Sequence, residues 1–155
     1  MIPVLANVAS FGMVKISKCA TAKEARALME QMQIRHLPVV DEVHQDTVVG
    51  VISDRDLLRS PSLDRHVFEL MSNPILSFDI STPLVTVAQA MVEQKVSSFL
   101  ITVDDEIEGI VTSEDLLLVL VELLKQQPSA KWVIADFLVN PASQKVMSAL
   151  GQAGV

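Results

Sequence analysis

Two segments of this chain share a pattern of residue types that suits the binding of a small polar ligand. Residues 50–56 read Gly-Val-Ile-Ser-Asp-Arg-Asp, and residues 109–115 read Gly-Ile-Val-Thr-Ser-Glu-Asp. In both, an apolar pair typical of a buried strand precedes a hydroxyl residue, and an aspartate follows three positions after the hydroxyl. This spacing predicts a helix start with the hydroxyl at the N-cap position and the carboxylate at the N3 position. Backbone N–H groups and the helix dipole at such a start also favour an anionic ligand.

Helix capping is the structural alternative for the same residues. Ser53 with Asp56, and Thr112 with Asp115, would each stabilise a helix by about 1 kcal/mol as a cap alone. The two roles are compatible, because a hydroxyl can cap a helix and still face a ligand. The sequence therefore leaves both roles open at each segment.

A tandem repeat explains why the pattern occurs twice. Ile16 aligns with Phe78, Val39 with Ile101, and Asp56 with Asp115, with a shorter hairpin loop in the second copy. A length difference confined to one hairpin loop is what a structural repeat tolerates. Both copies therefore follow the order strand, helix, strand, strand, helix.

Apolar periodicity and turn residues define the elements and their grouping. Helices are predicted at residues 22–32, 53–59, 83–94 and 113–126. Strands are predicted at residues 13–16, 47–52, 75–78, 98–103 and 107–112, and residues 34–41 are predicted to be a basic step followed by a strand. The Ser-Pro-Ser sequence at residues 60–62 breaks the chain between the copies. We predict an α/β fold with a first repeat at residues 1–59, a linker at 60–66, a second repeat at 67–127 and a helical extension at 128–155.

Composition narrows the classes of partner and compartment. The formal net charge of −7 repels phosphate backbones and anionic membranes, so neither nucleic acid nor a membrane is an expected partner. The single cysteine, Cys19, excludes an internal disulfide framework and suits a reducing compartment. The N-terminal residues lack the features of a signal peptide, so we expect a cytoplasmic protein.

The sequence also argues against an enzyme. It contains no Gly-rich phosphate loop, no His-Glu-x-x-His motif and no Gly-x-Ser-x-Gly motif. The acidic hairpin segment with Asp41, Glu42, His44 and Asp46 offers metal-ligand types, but a solvated loop explains it, and we predict no metal. Cys19 has no activating base nearby in the sequence.

The last predicted helix of the second repeat favours self-association. Residues 116–124 are apolar on nearly every helical face. Such a helix is either buried on all sides or lies in a subunit interface, and in a chain of this size we favour an interface. Beyond it, four residues are predicted to lie near one another on successive helical turns: Trp132, Val133, Asp136 and Phe137.

The repeated segments, taken together, resemble the CBS motif, named after cystathionine β-synthase. The first copy provides residues 34–41 (Ile-Arg-His-Leu-Pro-Val-Val-Asp), residues 50–53 and Asp56. The second copy provides residues 69–72 with Pro74, residues 96–98, residues 109–112 and Asp115. The chain is therefore similar to a tandem CBS pair, or Bateman module, over roughly residues 8–125.

The resemblance implies a fold and a function. Two β-α-β-β-α repeats would pack with pseudo-two-fold symmetry, and two chains would form a disc-like homodimer. Such modules are regulatory rather than catalytic, and many bind AMP, ADP, ATP or S-adenosylmethionine in clefts between the repeats. The identity of the nucleotide and of the regulated protein does not follow from the resemblance.

The resemblance also implies roles for individual residues. In the second repeat, Asp115 would hold the ribose hydroxyls and Thr112 the ribose or phosphate, Ile75 would flank the adenine, and Val96, Ser97 and Ser98 would contact its edge. In the first repeat the matching residues are Asp56, Ser53, Met13, Ile34, Arg35 and His36. The cations nearest any phosphate would be Arg35, His36 and Arg55.

Two departures from the family pattern lie next to these residues. Ala9 stands where the second repeat has Met71, and Phe99-Leu100 stands where Leu-Pro is usual. Two hypotheses therefore remain open. The chain is either an adenine-nucleotide sensor that signals to a partner protein, or a ligand-independent dimerisation module with degenerate clefts.

Overall fold

The computed structural model describes residue 8, residues 10–44 and residues 47–126. The strands are β1 (Ser10–Phe11), β2 (Ile16–Ser17), β3 (His36–Asp41), β4 (Thr47–Ser53), β5 (Ser77–Asp79), β6 (Ser98–Val103) and β7 (Glu106–Thr112). The helices are α1 (Ala22–Met32), α2 (Asp54–Arg59), α3 (Leu84–Gln94) and α4 (Ser113–Lys125). Single 3₁₀ turns cover Glu42–His44 and Val67–Glu69. The predicted α/β class is confirmed.

The parallel strand of each repeat, β2 or β5, starts later than the sequence predicts. Strands were expected at residues 13–16 and 75–78, whereas the ladders contain Ile16–Ser17 and Ser77–Asp79. Only these residues reach the parallel partner strands, β3 and β6. β1 has no counterpart among the predicted strands, because a two-residue strand carries no alternation to recognise.

The two sheets have the same internal register. One sheet has the order β2-β3-β4, and the other has the order β1-β7-β6-β5. Ile16 lies opposite Val39 in the first sheet, and Phe78 lies opposite Ile101 in the second. Each antiparallel hairpin contains a register shift directly after the equivalent residue, Val39 or Ile101. The structure therefore confirms the alignment of the two repeats residue by residue.

Equivalent C-caps end α1 and α3, whereas only α1 begins with a side-chain cap. Thr21 begins α1 in a capping box, in which its backbone N–H donates to Glu24 Oε2 (2.7 Å). α1 and α3 end at left-handed residues, Gln33 and Lys95, each with φ of 55°. These C-caps end the helices and turn the chain into the short loops that lead to β3 and β6.

The opening segment of each repeat crosses to the sheet of the other repeat. β1 pairs with β7, where Ser10 lies opposite Ile110, and Ser72 forms the equivalent bridge with Val51 of β4. A Cβ atom added to Gly109 would lie 3.1 Å from the carbonyl oxygen of Ser10. The crossing backbone therefore explains why a glycine opens the repeated motif.

A largely aliphatic core supports this arrangement. Leu37, Val39 and Ile52 of the first repeat are fully buried, as are Leu100 and Ile101 of the second. A further cluster joins the two sheets and contains Val40, Val48 and Leu100, with Met13 and Ile75 among the residues packed against it. The two repeats therefore share buried apolar surface with pseudo-two-fold symmetry.

The chain divides into two compact units, residues 1–117 and residues 118–155. Of the second unit, the structure describes residues 118–126, where Lys125 Nζ donates to Glu122 Oε1 (2.7 Å). The predicted helical extension at 128–155, with Trp132, lies outside the described residues. Within residues 10–44 and 47–126, no helix has both the length and the hydropathy needed to cross a bilayer.

Candidate functional site

A cleft of about 580 Å³ opens beside the start of α2 and takes its walls from both repeats. Its volume lies within the usual range for small-molecule sites, about 300–1,000 Å³. Nine of the residues predicted from the sequence line it: Arg35, His36, Ser53, Arg55, Asp56, Ile75, Val96, Ser97 and Ser98. The structure thus gathers most of the predicted site residues around one cavity.

The cleft combines residues that the sequence analysis assigned to different sites. Ile75 and residues 96–98 were grouped with Asp115 by repeat, whereas in the structure they line the same cleft as Asp56. The crossing of Ser72 onto β4 provides the reason, because it carries the residues after it to the α2 side of the other repeat. Local sequence order does not reveal this exchange.

Four predicted residues are not among the described residues that line this cleft, namely Met13, Ile34, Thr112 and Asp115. Met13 packs at the cluster between the sheets. Ile34 lines a second cavity of about 690 Å³, together with Met29, Leu57 and Leu63. Thr112 and Asp115 lie at the start of α4, at positions equivalent to Ser53 and Asp56.

Ser53 and Asp56 form a reciprocal cap at the start of α2. Ser53 donates to Asp56 Oδ2 through its hydroxyl (2.6 Å) and through its backbone N–H (2.9 Å). The backbone N–H of Asp56 donates in return to Ser53 Oγ (3.3 Å). The predicted capping role is therefore confirmed. Because these contacts use only Oδ2, the cap does not itself occupy the second carboxylate oxygen.

Thr112 and Asp115 form the corresponding contacts to the carboxylate in the second repeat. The hydroxyl of Thr112 donates to Asp115 Oδ2 at 2.8 Å, and its backbone N–H donates to the same oxygen at 2.7 Å. Both aspartates are half-buried. Each is therefore fixed in orientation at a helix start, as a carboxylate must be if it accepts hydrogen bonds from a ligand.

His36 contacts the other repeat across the cleft. Its Nε2 lies 2.9 Å from Ser97 Oγ, within hydrogen-bonding distance. Burial lowers the pKa of His36 below its usual 6.5, and the nearby charges of Asp54 and Arg35 act in opposite directions on it. The imidazole is therefore mostly neutral at pH 7 and links the two repeats as a neutral hydrogen-bonding group.

Cationic side chains dominate the rim of the cleft. Arg35, Arg55, Arg59 and Lys95 line it, against the two carboxylates of Asp54 and Asp56. Arginine suits phosphate recognition, because its planar guanidinium offers paired donors. The cleft thus combines an apolar residue, fixed polar groups and excess positive charge.

Arg59 and Lys95 line the cleft but were not predicted from the sequence. Arg59 lies one helical turn beyond Arg55 on α2, a spacing that places both on one helix face. Lys95 is the left-handed residue directly before Val96. The four-residue spacing from Arg55 could have predicted Arg59 as a cleft residue, whereas the position of Lys95 depends on the geometry of the α3 C-cap.

The acidic hairpin is engaged in an ion pair. Asp41 accepts from Lys18 Nζ (2.6 Å) and contacts His44 Nδ1 (2.8 Å), and these partners lower its pKa to about 2. Among the described residues, no group of three or more His, Cys, Asp or Glu side chains is placed to hold a metal ion. Asp46 lies outside the described residues.

Phe99, which stands where leucine is usual in the family pattern, is not among the described residues that line the cleft. It is 3% exposed and packs edge-on against Phe78, with ring centroids 4.8 Å apart. Phe99 is buried against the half-buried Phe78, so the departure from Leu-Pro is accommodated by packing between β5 and β6.

Comparison with known proteins gives a consistent family signal. A family model for the CBS domain matches residues 13–62 and residues 67–122. The CBS domain pair of protein MJ0100, solved in complex with 5′-methylthioadenosine and S-adenosyl-L-methionine, is 24% identical with a TM-score of 0.72, covering 79% of this chain and 98% of its own. AcuB from Vibrio cholerae is 26% identical with a TM-score of 0.70, covering 85% and 100%.

Two further relatives extend the comparison. CBSX2, solved in complex with AMP, is 22% identical with a TM-score of 0.67, covering 77% of this chain and 97% of its own. Inosine-5′-monophosphate dehydrogenase of Staphylococcus aureus is 24% identical over 94 residues, 60% of this chain. The chain spans about a fifth of the length of that enzyme, since the match covers 19% of it.

Proposed function

The chain belongs to the CBS domain family, and on this premise we propose that it is a regulatory protein that binds an adenine nucleotide in the cleft beside Asp56. The observation that supports this is the composition of the cleft: the Ser53–Asp56 pair, apolar Ile75 and several cations come together from both repeats. Two structural relatives were solved with adenosine compounds, which favours the same ligand class here. We infer AMP, ADP, ATP or S-adenosylmethionine as the candidates.

Each part of the ligand has a matching group in the cleft. The Asp56 carboxylate would accept the ribose hydroxyls, and it would reject analogues that lack them, because the half-buried carboxylate would lose these hydrogen bonds. Ile75 would flank the adenine, and the polar groups of Ser97 and Ser98 would contact its edge. Arg35 and Arg55 would contact phosphate.

The regulatory mechanism that we propose is a shift between conformations. A ligand in this cleft contacts both repeats, so it stabilises the relative geometry of the repeats that it fits best. A partner protein in the cytoplasm would distinguish the two geometries. The chain would in this way report nucleotide levels without catalysing a reaction.

A thermal-shift panel tests the proposal directly. AMP, ADP, ATP, S-adenosylmethionine and GTP are compared on the full chain, because a ligand that binds only the folded state raises its stability by about 2.7 kcal/mol at a hundredfold excess over Kd. We expect adenine compounds to raise the melting temperature, and Asp56→Ala to abolish this increase. GTP should have no effect.

Glu24→Ala is the matched control. Glu24 completes the capping box of α1 as Asp56 completes that of α2, but it is not among the cleft residues. Both variants lose one cap, and only Asp56→Ala should lose the nucleotide response. Equal responses in the two variants, or no response in the wild type, would contradict the proposal.

A ligand-independent interaction module is the second candidate, and α4 favours it. Six apolar side chains of this helix are more than 40% exposed: Leu117, Leu118, Leu120, Val121, Leu123 and Leu124. An exposed apolar strip of this length is typical of a contact surface. A homodimer that forms through α4 with no effect of any nucleotide would support this candidate.

A further inference from the structure

The two repeats differ in charge at the positions that surround the repeated motif. The register places Ser53 opposite His36, and Thr112 opposite Ser98, so these pairs are equivalent. Two residues beyond each hydroxyl residue, the first repeat has Arg55 and the second has Glu114. A cation and an anion thus occupy the same place in the fold.

Other differences between equivalent residues also make the Asp56 cleft more positively charged. α3 ends at the left-handed Lys95, which lines the Asp56 cleft, and α1 ends at the equivalent and uncharged Gln33. Arg59 adds a cation one helical turn after Arg55 in the same cleft. The Asp56 cleft therefore has four cationic side chains against two carboxylates, and a phosphate entering it is attracted.

The environment of Asp115 is different. Glu114 precedes it directly, so two carboxylates stand together at the start of α4. Glu114 Oε2 also lies 4.0 Å from Nη2 of Arg35, one of the four cations that line the Asp56 cleft, and partly balances the charge of that arginine. A phosphate at these positions would meet a carboxylate where the Asp56 cleft presents a guanidinium, and like charges placed together oppose binding.

We propose that Arg55 and Glu114 determine whether a ligand that carries phosphate can bind beside Asp56 and beside Asp115. The Asp56 cleft takes an adenosine ligand that carries phosphate, and the equivalent positions around Asp115 exclude phosphate. The proposal rests on the proposed function, and it adds the charge class of the ligand and the residues that select it. It predicts one phosphate-bearing nucleotide per chain.

Calorimetric titration of the full chain with ATP and with adenosine tests the selection. We expect one ATP per chain in the wild type. Arg55→Glu should weaken ATP binding about tenfold or more and change adenosine binding less than about twofold, since only ATP carries the opposing charge. Lys23→Glu is the matched control, because Lys23 is exposed on α1 and changes the net charge by the same amount.

The reverse substitution tests the second repeat. Glu114→Arg should add a second ATP to the stoichiometry, and Asp115→Ala in that background should remove it. Unfolding midpoints of all variants establish that they remain folded. Two equal ATP sites in the wild type, or equal weakening by Arg55→Glu and Lys23→Glu, would overturn the charge assignment alone. Failure of both ATP and adenosine to bind the wild type would overturn the proposed function as well.

Discussion

Nε2 of His36 lies 2.9 Å from Oγ of Ser97, although 61 positions separate the two residues in the chain. His36 is the first residue of β3 in the first repeat, and Ser97 immediately precedes β6 in the second. Their contact is a direct polar link between the repeats inside the cleft. Any change in the geometry between the repeats must alter it.

The free energy of unfolding should decrease as the pH falls from about 7 to 5. Burial holds the pKa of His36 below 6.5, so the folded protein favours the neutral imidazole. This contribution is complete above the unfolded-state pKa of about 6.5, and it is lost as the pH falls through the lower folded-state value. Urea unfolding across this range measures the decrease.

His36→Asn should flatten that pH profile. His66→Asn is the matched control, because His66 lies outside the cleft lining and contacts the carbonyl oxygen of Cys19 instead. A wild-type profile that His36→Asn leaves unchanged would show that His36 is not the titrating group. A double-mutant cycle with Ser97→Ala should give a coupling of about 0.5–1.5 kcal/mol.

Gly50→Ala should destabilise the protein by about 1–3 kcal/mol, as overpacking of a tight contact does. A Cβ atom at this position would lie 2.6 Å from Met71 Sδ and 3.0 Å from the carbonyl oxygen of Ser72. Chemical denaturation measures the loss.

Met71→Ala provides the control for this prediction. It removes the flexible side chain but leaves the Ser72 backbone in place, so Gly50→Ala should cost less in the Met71→Ala background and still cost something. Equal costs in both backgrounds would mean that the Met71 contact does not contribute.

Acid should weaken the first repeat through Asp41. Its pKa is lowered to about 2 by Lys18 and His44, so its contribution is complete above the unfolded-state value and is lost as the pH falls from about 4 toward 2. Asp41→Asn should reduce this loss, whereas Asp105→Asn in the exposed hairpin turn should retain it. Melting temperatures between pH 5 and 2 measure the effect.

Leu120→Asp should reduce self-association if α4 forms a subunit contact. The charged side chain would replace an apolar one that is 48% exposed on the helix. Val43→Asp is the control, since Val43 is 83% exposed in the β3–β4 hairpin. Sedimentation velocity should show a larger shift toward monomer for Leu120→Asp. A monomeric wild type would contradict the α4 interface.

Local patterns in the sequence predict the elements of this fold well. The helix at residues 22–32 matches α1 at both ends, because Thr21 and the apolar spacing are strong local signals. The alignment of Asp56 with Asp115 is confirmed because the repeat preserves register. These features depend only on residues close together in the chain.

The composition of the cleft depends on contacts that are distant in sequence. Ile75 joins Asp56 only because Ser72 crosses to the other sheet, and no local pattern marks that crossing. Lys95, which lines the cleft, ends α3 in a left-handed conformation that the sequence pattern did not predict. The sequence could therefore identify most of the predicted residues that line this cleft but not their grouping.

The crossing of β1 and of Ser72 also means that neither sequence repeat contains every segment of its own sheet, because each sheet is completed by the opening segment of the other repeat. A polypeptide cut between the two copies leaves each half with the edge of its hairpin open, and each half still holds the segment that closes the other. We expect separately expressed halves to recombine with each other, and a single half to complete itself with a second copy. An ancestral chain with one repeat and this geometry would have needed a second copy of itself to complete its sheet.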